Sequence, residues 1–224
     1  MIYKIYKNKK IRNETVKAIE QEKIISIIRK PEKESFKDTV NALYNGGIRL
    51  IEITFDRENN FKKEETCEMI STVKENFKDM LVGAGTVTRK KEVFLAFKAG
   101  ASFIISPNCD PKIIRLTKKL GMVSIPAAYT PTEIALALNN GADYIKLFPA
   151  TEVTKEYISA VTAPLSDARL LAVGGVTENN AGDFIKKGFC GIGVGSNLYS
   201  KKLIENQDFK GLTYLAEKFK NALK

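Results

Sequence analysis

One pattern recurs eight times along the chain: a short run of Ile, Val and Leu, a polar or glycine turn, then a stretch with helical spacing. The apolar runs fall at residues 24–29, 49–55, 80–83, 103–106, 122–125, 144–148, 169–173 and 191–194. They are nearly continuous rather than alternating, as parallel strands covered on both faces require. Helical spacing fills 35–44, 62–76, 89–98, 111–120, 131–139, 154–161, 178–187 and 209–223, and an opening helix at 13–20 precedes the first strand. Several of these helices run into glycine (Gly100, Gly121, Gly141, Gly188), which takes the left-handed conformation past a last turn without penalty. Thr130 followed by Pro131 reads as a helix cap and first turn. Eight units in 224 residues leave about 28 residues each, close to the least a βαβ crossover needs. Such strict repetition predicts a closed (β/α)8 barrel with an extra N-terminal helix, rather than an open doubly wound sheet. Neither a linker nor a low-complexity tract interrupts it, so residues 1–224 are expected to form a single domain.

Composition narrows the chemistry. The chain has no His, which excludes Ser-His-Asp and Cys-His nucleophile pairs and imidazole-ligated zinc. Proton transfer must then fall to Lys, Glu, Asp, Tyr or water. Cys67, Cys109 and Cys190 are too scattered for a disulfide framework or a CxxC clip and fit a reducing compartment. The lysine-rich start has no apolar run of signal length, and no stretch approaches the ~20 apolar residues of a membrane span. A soluble cytoplasmic protein without a membrane partner is therefore expected. The net charge of +10 comes from lysines spread over the helical stretches with acids between them. No nucleic-acid recognition motif accompanies that charge, so nucleic acid is not an expected partner. A basic surface does help to draw in a small anion.

In a barrel of this kind function gathers at the C-terminal ends of the strands. Lys146 interrupts the apolar sixth strand between Ile145 and Leu147. Burying an ammonium lowers its pKa by up to ~3–5 units, and a neutral amine attacks ketones to give a Schiff base. Glu52 interrupts the second strand in the same way, where a charge needs a reason. From the residues alone the two are either a nucleophile with its proton carrier or a structural ion pair. Gly174 and Gly175 end the seventh strand, and Gly195 and Ser196 follow the eighth. Glycine turns at these two places let backbone amides approach an anion such as phosphate. Thr86 is presented by a strand-end glycine turn, and Arg29 closes the first strand as a candidate carboxylate ligand.

The motifs GGIRLIEITF, GAGTVT, FIISPNCD, IPAAYTPTE, YIKLFPA, VGGVT and GVGSNLY occur in this order over about residues 22–200. Together they resemble the 2-keto-3-deoxy-6-phosphogluconate (KDPG) / 4-hydroxy-2-oxoglutarate (KHG) aldolases, a family of small class I pyruvate aldolases. The resemblance implies a barrel that assembles as a homotrimer and uses no metal or cofactor. Its substrates would be a small phosphorylated keto acid and pyruvate. It implies that Lys146 forms the Schiff base and that Glu52 moves protons through a bound water. Thr86 would touch the pyruvate carboxylate, and Pro107 and Phe148 would line the substrate pocket, which Thr54 joins by its position at the end of the second strand. Gly174, Gly175, Gly195 and Ser196 would bind the phosphate.

The chain also departs from the family pattern. Members with Arg four residues after the acid/base Glu use it for the carboxylate, but that position here is Asp56, with Arg57 displaced by one. Others carry Arg at the end of the first strand, so the carboxylate is assigned mainly to Arg29 and secondarily to Arg57. Val173 stands where the gluconate branch has Thr, and VGGVT and GSNLY resemble the 2-keto-3-deoxy-6-phosphogalactonate branch. Ala127 replaces a usual Gly in the floor of the site. The expected activity is reversible cleavage of KDPG to pyruvate and D-glyceraldehyde 3-phosphate, alongside KHG cleavage to pyruvate and glyoxylate. The alternatives are the galactonate epimer as substrate, or another sugar-phosphate barrel such as an epimerase, which has no need of Lys146 as a nucleophile.

Overall fold

The computed structural model of the chain describes residues 2–56 and 63–224, so Arg57 and Lys62 lie outside the described residues. Helix α1 (Ile2–Glu22) leads into eight strands: β1 (Ile24–Ile28), β2 (Leu50–Thr54), β3 (Leu81–Gly85), β4 (Phe103–Ser106), β5 (Val123–Ala128), β6 (Ile145–Leu147), β7 (Leu170–Val173) and β8 (Gly191–Val194). Between them run α2 (Phe36–Asn45), α3 (Lys63–Asn76), α4 (Lys90–Ala99), α5 (Pro111–Lys119), α6 (Pro131–Asn139), α7 (Lys155–Thr162) and α8 (Ala181–Lys186). The short α9 (Lys201–Glu205) and the closing α10 (Phe209–Ala222) follow β8. Every strand pairs in parallel with its sequence neighbour and β8 returns to β1, which closes a (β/α)8 barrel. Among the described residues no helix is long and apolar enough to cross a membrane.

Strand parity sorts the side chains. Odd members of β1, such as Ile25 and Ile27, face the lumen, whereas Ile24 and Ile28 join the larger core between strands and helices. On β2 Leu50 packs inside while Ile51 and Ile53 face the helices, so Glu52 shares the lumen face with Leu50. On β6 Ile145 and Leu147 face outward, and Lys146 shares the inner face with Tyr144. The lower lumen is filled by Leu50, Phe103, Val123, Ile125, Tyr144 and Leu171.

Helix α1 seals that end. Ile19 is buried against the lumen cluster, Val16 and Ala18 pack on it, and the Tyr144 hydroxyl donates to the Val16 carbonyl at 3.2 Å. Asp143 fastens the seal: it pairs with Arg12 of α1 and with Lys118 at 2.6 Å, and accepts the Ser124 N–H at 2.9 Å. The sequence reading placed only 13–20 in this helix. The residues before it are rich in Lys and lack an apolar stripe, so periodicity does not announce them.

Other boundaries move for local reasons. β3 runs on to Gly85 because its ladder with β2 continues through Thr54, which overrides the weak strand preference of glycine. β5 runs through Pro126 to Ala128, because the fixed φ of proline still lies in extended backbone. The five-residue α9, with Ser200 accepting the Leu203 N–H, is too short to show a period.

Candidate active site

The C-terminal mouth of the barrel holds a cavity of about 710 Å³. Arg29, Thr86, Pro107, Lys146, Phe148, Gly174, Gly175, Gly195 and Ser196, all singled out from sequence, line it. Lys146 is half-buried, and its Nζ lies 5.1 Å from the centroid of the Phe148 ring. Glu52 and Thr54 do not line the cavity. They are buried, 1% and 3% exposed, although Glu52 registers with Ile27, which lines the cavity. Burial pushes the Glu52 carboxyl above the ordinary carboxylate range, against the pull of the Lys146 and Arg29 charges. Its Oε2 is buried with no hydrogen-bond partner among the described residues. A buried acid in the field of a lumen lysine, with one oxygen unsatisfied, is equipped to accept or deliver a proton.

Thr86 enters the cavity from a left-handed backbone (φ 57°), an uncommon conformation for a β-branched residue. The flanking bonds, Phe55 N–H to the Gly85 carbonyl at 2.9 Å and Val87 N–H to the Ile105 carbonyl at 3.3 Å, hold it there. Strain of this kind persists where surrounding structure over-determines it. Asp56, four residues after Glu52, lies 3.8 Å from Lys30 Nζ, while Arg29 lines the cavity.

The two glycine turns differ in why they need glycine. Gly174 (φ 100°) and Gly175 (φ 70°) are consecutive left-handed residues, and a Cβ at Gly175 would stand 2.7 Å from Thr151 Oγ1. At Gly195 the backbone is ordinary and a Cβ would meet nothing within 4 Å, only the cavity that it lines. The first turn is glycine for the backbone; at Gly195 the chain itself demands nothing.

Two amides brace these turns. Asn180 Oδ1 accepts the Thr177 N–H at 2.7 Å and its Nδ2 donates to the Gly175 carbonyl at 3.0 Å. Asn197 Nδ2 donates to the Val176 carbonyl at 2.8 Å and joins the turn after β8 to the turn after β7. Among the described residues the Gly175 and Val176 N–H groups have no acceptor, which suits them to an anion. Asn197 was not singled out from sequence, and neither were Lys30, Glu32, Tyr199 and Lys201, which complete the wall. Their place in the motif GVGSNLY was the available signal for Asn197 and Tyr199. Nothing in the sequence pattern marks the others, since they reach the mouth from the first βα loop and from the start of the short α9.

Fold and cavity together define a (β/α)8-barrel enzyme whose site lies at the C-terminal mouth. A family model described as KDPG and KHG aldolase matches residues 15–215. The chain belongs to that family and is an aldolase, a carbon–carbon lyase. It is 36% identical over 177 residues to a probable 2-dehydro-3-deoxy-6-phosphogalactonate aldolase of Rhizobium meliloti, covering 79% of this chain and 81% of that one. It is 29% identical over 204 residues to a 2-dehydro-3-deoxy-phosphogluconate aldolase of Treponema pallidum, covering 89% and 93%. A solved structure described as native KDPGal superposes with a TM-score of 0.78 at 31% identity, over 89% of this chain and 93% of that one. A KDPG aldolase from Legionella pneumophila, solved with pyruvate captured as a covalent carbinolamine, shares the fold with a TM-score of 0.79 at 23% identity, covering 92% and 97%.

Proposed function

We propose that the protein cleaves 2-keto-3-deoxy-6-phosphogluconate reversibly to pyruvate and D-glyceraldehyde 3-phosphate through a Schiff base on Lys146. The observation that carries this reading is Lys146 itself, a lysine on an otherwise apolar strand that faces a cavity closed by two glycine turns. The carbinolamine in the Legionella pneumophila relative supports the same chemistry. In this reading the Lys146 amine adds to the C2 ketone and water leaves, giving a protonated imine. The C3–C4 bond then breaks, its electron pair flows into the imine to form an enamine, and the C4 hydroxyl proton passes through water to Glu52. Protonation of the enamine at C3 and hydrolysis release pyruvate and restore the amine. Arg29 and Thr86 hold the carboxylate, and the turns at Gly174–Gly175 and Gly195–Ser196 hold the phosphate. Remote binding energy at the phosphate thus positions the reacting bond.

A second reading, the galactonate epimer as substrate, is favoured by Val173. It lines the cavity at the end of β7 and offers no hydroxyl to fix the C4 configuration. A coupled pyruvate-release assay on the two C4 epimers decides between them. Faster turnover of the gluconate compound is expected; the reverse order installs the second reading, and release from neither removes both.

Gly195→Ala tests the phosphate turn separately. The methyl fits the backbone and projects into the cavity. It is expected to raise KM for the phosphorylated substrate at least about tenfold, the worth of one good charge-assisted contact. KHG carries no phosphate, so its cleavage to pyruvate and glyoxylate, part of the same proposal, should change less than about twofold. The homotrimer expected from the family resemblance also belongs to this proposal.

A further inference from the structure

The lumen-facing row of β3 is Leu81, Gly83 and Gly85, and both glycines leave space that a neighbouring strand fills. A Cβ at Gly83 would stand 2.2 Å from the Phe103 ring. A Cβ at Gly85 would stand 1.6 Å from Glu52 Oε1, 2.4 Å from its carboxyl carbon and 2.7 Å from its Cγ. Gly85 is not in the left-handed region, so its backbone has no need of glycine. What requires glycine there is the occupant of the space. The outer half of the Glu52 side chain lies where a side chain at 85 would begin, and this lets Glu52 lie at 1% exposure. In the ladder Glu52 registers with Gly83 and Thr54 with Gly85, two residues nearer the mouth. The acid therefore leans along β3 toward the mouth rather than straight across the lumen.

We propose that Gly85 is a positioning residue for the proton-transfer step: by lacking a side chain it seats the Glu52 carboxyl in its buried place beside β3. A single added methyl forces the carboxyl into another rotamer, toward the open cavity, where water solvates it and its distance to the imine changes. The proposal rests on Glu52 as the proton carrier, and its test is arranged so that the two ideas fail separately.

The experiment compares Gly85→Ala, Glu52→Ala and the double variant by thermal unfolding, and Gly85→Ala with Glu52→Gln by steady-state kinetics. Gly85→Ala is expected to lower kcat at least about 50-fold, within the range a displaced acid or base accounts for. The limb of the kcat–pH profile contributed by Glu52 is expected to move toward lower pH as the carboxyl gains solvent. Borohydride with pyruvate should still modify Lys146. Removing the occupant should remove the conflict, so in the Glu52→Ala background the added methyl lowers the unfolding midpoint by less than half as much. If Gly85→Ala does not fold, recovery of folding in the double variant supports the proposal, and failure of the double variant while Glu52→Ala folds overturns it. An equal midpoint loss in both backgrounds, or an unchanged kcat and pH profile in folded Gly85→Ala, also overturns it. If instead Glu52→Gln keeps native turnover, Glu52 is not the proton carrier, and the midpoint comparison still reads the steric coupling alone.

Discussion

Borohydride added together with pyruvate is expected to leave a reduced pyruvate adduct on Lys146, and Lys146→Met is expected to lower kcat for cleavage by at least about a thousandfold, as loss of a covalent nucleophile does. Peptide mapping by mass reads the first result and a coupled pyruvate assay the second. The cavity holds competing lysines, which makes the site of modification informative. Lys30 and Lys201 also line the wall, but their side chains are 48% and 79% exposed and reach it from the first βα loop and from the start of the short α9. Lys146 is set on a strand, between two residues buried in the outer core, with the Phe148 ring beside its amine. A rigid strand fixes the attack trajectory in a way that a solvated loop side chain does not. An adduct on Lys30 or Lys201 with Lys146 untouched would remove the proposed mechanism.

Glu52→Gln is expected to cut kcat by roughly 10²–10⁴-fold, the range for losing a general acid/base, while pyruvate affinity changes far less. Equal losses in both quantities would identify a structural ion pair instead. The same variant makes a second, catalysis-free prediction. Burial raises the Glu52 pKa in the folded chain, more than Lys146 and Arg29 lower it. A carboxyl with a raised folded pKa favours folding in its protonated form. That contribution is fully present below the unfolded pKa and is lost as pH rises through the folded one. Glutamine does not titrate, so Glu52→Gln should be more stable than the native chain at pH 8, with the gap narrowing on acidification. Denaturant unfolding at several pH values checks the sign, and a gap that widens in acid would contradict the burial argument.

The barrel was legible because its signals are local and repeated: apolar runs, glycine stops and the spacing between them. Period-two parity on β2 and β6 was equally legible, and it carries Glu52 and Lys146 to the lumen once Leu50 and Tyr144 are known to be inside. Exposure was not legible. Thr54 and Glu52 share a face with cavity residues, and Glu52 registers with the cavity-lining Ile27, yet both are buried, because what covers them comes from other parts of the chain. The far wall was not legible either. Lys201 belongs to α9, which is too short to show a period, and Glu32 to a loop with no period at all. Asn197 matters through a hydrogen bond to Val176, 21 positions away, that no local pattern encodes.

The glycines of β8 have a consequence for the shape of the reaction space. Gly191 and Gly193 give the space beside that strand to Leu171, Val173 and Ile27, and Gly195 leaves the room above it empty. The lumen is therefore lopsided: among the described residues most of the cavity lining comes from β7, β8 and β1 and the loops after them. A guest held as proposed, by Lys146 and the glycine turns, lies along a chord, with its head at β6 and its tail over β8. In the proposed reading the turns that hold the tail follow β7 and β8 while the proton carrier sits on β2, two strands beyond β8, so those turns can be rebuilt for other tails without replacing Glu52 or Lys146.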